Sequence, residues 1–127
     1  NAELNTDMSE MYDITRFIDG AVEVVEYFYS DRPPFDRDSL EFSRFVVHLR
    51  YFAQRLFQDK LMPDSDDESD RMFRALIARN CKQHYKCARC VGEYVEKTWH
   101  KKLSEEELIY LTIHLKRIAG DTREPVR

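Results

Sequence analysis

Apolar residues recur along this chain at intervals of three and four in five separate stretches, and strand-like alternation never persists. Ile14, Phe17, Ile18, Ala21, Val24, Val25 and Phe28 share one stripe and predict a first helix over residues 13–29. Asp31-Arg32-Pro33-Pro34 ends it, because the residue before a proline avoids helical geometry. Phe42, Phe45, Val46, Leu49, Phe52, Ala53 and Leu56 predict a second helix, opening near Asp38 with Glu41 three positions on in a capping-box-like pair. Met62-Pro63-Asp64-Ser65 reads as a turn. The acidic run from Asp64 to Asp70 suits the positive end of a third, short helix reaching Asn80. Met72, Phe73, Leu76 and Ile77 are its expected core contacts. A fourth helix over residues 83–99 buries Cys87, Ala88, Val91, Tyr94 and Val95. A fifth opens at the capping box Ser104 and Glu107, runs to Ala119 and stops at Gly120.

Short connections make successive helices antiparallel neighbours, so the fold class is all-α, a compact bundle of about five helices. The domain occupies residues 13–119. Residues 1–12 are expected to be a tag remnant or linker, and residues 120–127 a polar, frayed tail. The fifth helix is apolar on two sides. Leu108, Leu111, Leu115 and Ile118 point one way, while Ile109 and Ile113 point nearly opposite. Such a helix is either central in the bundle or covered by a second subunit, which makes Ile109 and Ile113 candidates for a dimer interface.

The chain of 127 residues is long enough to bury a core without disulfide or metal support. Three glycines leave little material for tight hairpin turns, and no apolar run approaches the length of a membrane span. Lys and Arg number 20 against 24 Asp and Glu, a net charge of −4 that argues against this segment gripping nucleic acid through its phosphates. Three clustered cysteines fit a reducing, cytoplasmic setting better than a disulfide framework.

Candidate chemistry lies at His48 and His114. Each sits at the edge of an apolar stripe, where one ring nitrogen can be packed and the other exposed. Arg44, Tyr51, Phe52 and Arg55 project within roughly 60° of His48 on its helix. Glu107, Tyr110, Arg117 and Ile118 accompany His114. Should the second and fifth helices be adjacent, both rings face one groove. An imidazole among guanidinium groups suits a group that carries a phosphoryl anion. Taken alone, the same pattern also fits a partly buried packing histidine.

Two strings decide between them. The first is Arg44, His48, Leu49, Arg50, Tyr51 and Arg55; the second is Glu107, Leu108, Tyr110, Leu111, His114, Leu115 and Arg117. In this order, and with Cys87-Ala88 between them, they resemble the PTS regulation domain of BglG-type transcriptional antiterminators. Val47 stands where first-copy domains usually carry aspartate, so the chain looks like the second copy of the tandem. Asn80-Cys81-Lys82 departs from the family's usual Asn-Tyr-Pro at one turn. The resemblance implies a regulatory role without turnover, in a cytoplasmic homodimer. By that resemblance His48 and His114 are expected to receive phosphoryl groups from the phosphocarrier HPr or a sugar-specific enzyme IIB, and phosphorylation to shift dimer packing and so control RNA binding by a separate N-terminal domain. Arg44, Arg55 and Arg117 are the residues expected to hold the anion through bidentate hydrogen bonds. The alternatives are a helical dimerisation domain without phosphoryl chemistry, and the same module in a DNA-binding activator.

Other constellations carry less. Cys81, His84, Cys87 and Cys90 repeat every three residues, but along one helix that series rotates by about 60° per step, too far for one tetrahedral ion. No metal or cofactor is expected. His84 and His100 lack arginine company and are expected at the surface. The acid run lacks the glycine and terminal glutamate of a calcium loop. No nucleophile has an adjacent base, which argues against an enzyme.

Overall fold

A computed structural model describes residues 2–120, with side chains from Met8 onward. Five helices occur in chain order among the described residues: α1 (Ala2–Phe28), α2 (Leu40–Phe57), α3 (Glu68–Asn80), α4 (Lys82–Trp99) and α5 (Glu105–Ala119). No strand occurs among them. The helix order and the all-α class are those the periodicity predicts. The tail expected to fray, residues 121–127, lies outside the described residues.

The core is built from the predicted stripes. Phe17, Ala21 and Val25 of α1, Phe52, Ala53 and Leu56 of α2, and Cys87, Ala88 and Val95 of α4 have no exposed surface at all. Each large side chain among these contributes about 1.5–3 kcal/mol through burial. Phe17 meets Phe52 at 5.3 Å between ring centroids, with Trp99 at 6.2 Å, which ties α1, α2 and α4 together. Helix α5 packs against α2, α3 and α4, the central position that its two apolar sides allow. That placement corrects one expectation: Ile109 is 2% exposed, covered by the chain itself, and is no surface for a second subunit. Ile113 is half-buried.

The helices depart from expectation at three places. Helix α1 starts at Ala2, eleven residues ahead of the expected start, and its early apolar residues Met8, Met11 and Tyr12 stay exposed. Helix α2 is capped by Ser39 and not Asp38, because the Ser39 Oγ accepts the Phe42 N–H at 3.0 Å. Helix α3 buries none of its residues; Met72, Phe73 and Leu76 are 63%, 50% and 43% exposed. It contacts α4 and α5 and neither α1 nor α2.

The loop between α2 and α3 is clipped to the start of α5. Ser104 Oγ donates to the Met62 carbonyl at 2.6 Å and accepts the Glu107 N–H at 3.2 Å. Asp64 Oδ1 accepts the Glu106 N–H at 2.8 Å. Asp64 therefore serves α5, while Asp67 caps α3 by accepting the Asp70 N–H. Gly120 closes α5 as expected, its φ of 68° in the region glycine tolerates.

Candidate functional site

Helices α2 and α5 are neighbours, and their contact brings together the two histidines of the sequence strings. The His48 and His114 rings stack with centroids 3.8 Å apart and planes inclined by 19°. Both are half-buried, at the seam where the α2 and α5 stripes meet solvent. They form one wall of an open cleft of about 310 Å³ whose other lining residues are Glu41, Arg44, Phe45, Arg117 and Ile118. Arg44 and Arg117 are exposed at its rim, one from each helix. Glu41, two turns before His48 on the same helix, was not singled out for this cleft; its seven-residue spacing from His48 was the available signal.

Tyr110 bridges the helices behind the stack. Its ring stands edge-on to His114 at 4.6 Å, and its hydroxyl donates to the His48 main-chain carbonyl at 3.2 Å while lying 3.3 Å from His48 Nδ1. The Arg55 guanidinium lies over the Tyr110 ring, 4.5 Å from its centroid. Arg55 in turn forms a bidentate pair with Glu107, Nε to Oε2 at 2.9 Å and Nη2 to Oε1 at 2.8 Å. The Met62 N–H adds a third donor to the same carboxylate at 2.8 Å.

This pairing corrects two sequence expectations. Arg55 was expected to hold an anion beside His48, but its fork is committed to a carboxylate with 0% side-chain exposure. Leaving Glu107 without it would strand a buried charge. Arg44 and Arg117 remain as the cationic groups on the cleft. The Ser104–Glu107 capping box forms only in half, since the Glu107 carboxylate turns inward to Arg55 in place of the helix end.

Electrostatics keep both rings neutral. Desolvation first, then the Arg117 charge, holds His48 below the usual imidazole range. For His114, desolvation, its stacked partner His48, Arg117 and Arg55 together push the value down to about 4. Near pH 7 each imidazole therefore offers an unprotonated nitrogen lone pair to an electrophile, with guanidinium groups nearby to receive negative charge. Arg55 is shifted the opposite way, upward, by its bond to Glu107.

The remaining histidines divide. His100 is exposed at the end of α4, as expected. His84 is not at the surface: it is 5% exposed, with Nδ1 2.5 Å from the Tyr29 hydroxyl. The first turn of α4 packs on the end of α1, a contact no local pattern announces. Cys87 lies in the same region, fully buried, its thiol pushed up to about 12 chiefly by desolvation.

Residues 22–118 match the family model described as the PRD domain. The chain is 35% identical over 118 residues to the transcription antiterminator LicT of Bacillus subtilis (strain 168), covering 93% of this chain and 40% of that protein. It is 29% identical over 124 residues to the beta-glucoside operon antiterminator of Dickeya chrysanthemi, covering 98% and 42% respectively. Protein GlcT of Staphylococcus aureus (strain JH9) is 28% identical over 109 residues, covering 85% and 36%. The chain thus spans about two fifths of the length of the relatives it matches. With the family model running from within α1 into the last turn of α5 and both stacked histidines inside it, the chain belongs to the PRD domain family.

Proposed function

We propose that this chain is the phosphorylation-controlled regulatory module of a longer transcription antiterminator for a sugar-utilisation operon, the second of two such copies. His48 and His114 accept phosphoryl groups from HPr or a sugar-specific enzyme IIB in the cytoplasm. The added charge changes homodimer packing and thereby RNA binding by a separate N-terminal domain. The observation that carries the reading is the stack of two imidazoles on the wall of an open cleft that Arg44 and Arg117 also line. An N–P bond lies in the imidazole plane, so a phosphoryl group leaves the edge of a stacked ring toward the cleft and does not have to enter between rings. By analogy with other phosphorylated side chains it brings nearly two negative charges, which the two arginines can meet by bidentate hydrogen bonds. The relatives named as antiterminators support the regulatory setting. Among the described residues no helix is long and apolar enough to cross a membrane. Half-buried Ile113 is the residue on α5 left for a partner subunit.

The test is transfer from phosphoenolpyruvate through enzyme I and HPr. Acid-labile label is expected on the chain, reduced in His48→Ala and in His114→Ala and absent from the double variant, with all three keeping the helical circular-dichroism spectrum. Label that persists in the double variant overturns the proposal.

A further inference from the structure

The proton arrangement around Tyr110 distinguishes the two nitrogens of His48. A tyrosine hydroxyl has one hydrogen to donate. The His48 carbonyl oxygen, 3.2 Å away, can only accept, so that hydrogen belongs there. Toward His48 Nδ1, at 3.3 Å, the same hydroxyl is then an acceptor, and Nδ1 must carry a hydrogen. The opposite assignment, with the hydroxyl donating to Nδ1, leaves two oxygens at 3.2 Å with no hydrogen between them. A neutral ring protonated on Nδ1 has its lone pair on Nε2.

From this we infer that Tyr110 is a positioning residue that locks His48 in the Nδ1–H tautomer and so makes Nε2 the phosphoryl-accepting atom. The inference rests on the phosphoacceptor reading above for its second half and stands on geometry alone for its first. The transfer balances without a proton. The donor's P–N bond breaks and its electrons return to the donor nitrogen, while the Nε2 lone pair forms the new N–P bond. The Nδ1 hydrogen stays in place, and its bond to the Tyr110 oxygen strengthens as the ring takes on positive charge. Tyr110, Arg55 and Glu107 form one chain that begins at a carboxylate with no solvent exposure, so the lock is anchored in the core of the domain.

Nitrogen-15 NMR of the histidine-labelled chain near pH 7.5 reads the tautomer directly, with His48 assigned by the signals lost in His48→Gln. The expected result is Nδ1–H in the native chain and, in Tyr110→Phe, a tautomer ratio shifted about fivefold toward Nε2–H, the worth of one ordinary hydrogen bond. Phosphoramidate, a small donor with a P–N bond, is then added, and phosphorus–nitrogen coupling is expected on Nε2 of His48. Nε2–H in the native chain, or an unchanged ratio in Tyr110→Phe, overturns the lock. Coupling to Nδ1 overturns the acceptor assignment. An intact Nδ1–H tautomer with no phosphoryl group on His48 overturns the acceptor assignment while leaving the lock standing. The carrier-protein experiment above decides separately whether the phosphoacceptor reading falls with it.

Discussion

At Glu107 a carboxylate without solvent exposure is held by three donors, two from Arg55 and one from the Met62 main chain. Removing one partner of such a pair leaves the other charge buried and unmatched, which costs about 3–5 kcal/mol. Arg55→Ala is therefore expected to destabilise the domain by about 3 kcal/mol in urea unfolding, whereas Arg71→Ala, which breaks an exposed pair with Glu68, changes it by about 0.5 kcal/mol or less. Equal effects would show that the Glu107 carboxylate is neutral or hydrated in the folded chain. This residue also marks what local sequence could reveal. His48, His114 and their arginine neighbours were legible because helix periodicity fixes which side chains share a face. The true partner of Arg55 was not, since it depends on how far α2 and α5 are offset along their axes. The same limit hid His84, whose burial against Tyr29 joins residues on different helices.

Among the helices, α3 and α2 have similar apolar patterns and opposite fates. Periodicity says which residues of a helix share a face, and only the packing of the other four decides whether that face is covered. Phe52 on α2 is wholly buried, while Phe73 on α3 is half exposed. Phe52→Ala is expected to cost about 3–5 kcal/mol, and Phe73→Ser less than about 1 kcal/mol, measured by thermal or urea unfolding. Comparable losses would mean that α3 is covered in solution, by a second copy or by a domain outside these residues. The end of α3 at Asn80 and the cap of α5 at Ser104 were legible because capping is local chemistry, whereas the start of α1 was not. Ser104 is the clearest case, receiving the Glu107 N–H and holding the Met62 carbonyl. Ser104→Ala is expected to lower stability by about 1–2 kcal/mol, more than the cap alone would give, since it also releases the α2–α3 loop from α5.

For the molecule as a whole, the stacked histidines make stability depend on pH in a definite direction. His114 has an ordinary value of 6.5 when unfolded and about 4 in the folded chain. Between those values the unfolded chain binds a proton that the folded chain excludes, so lowering the pH favours unfolding. The contribution of His114 is thus fully favourable above pH 6.5, is lost progressively as pH falls toward 4, and changes no further below that. His48, shifted down by desolvation and by Arg117, adds in the same sense. Unfolding free energy measured from pH 7.5 to 4 is expected to drop less steeply in His114→Gln than in the native chain, and parallel curves would refute the depressed value. A phosphoryl anion on His48 acts against this trend. Set beside a neighbouring ring stacked at 3.8 Å, it favours the protonated form of His114 and raises its value. Phosphorylation would then turn a pair of stacked neutral rings into an anion–imidazolium pair. In the phosphorylated chain the acid-side loss of stability assigned to His114 is accordingly expected to shrink, and a titration followed by histidine NMR before and after phosphoryl transfer measures the shift directly.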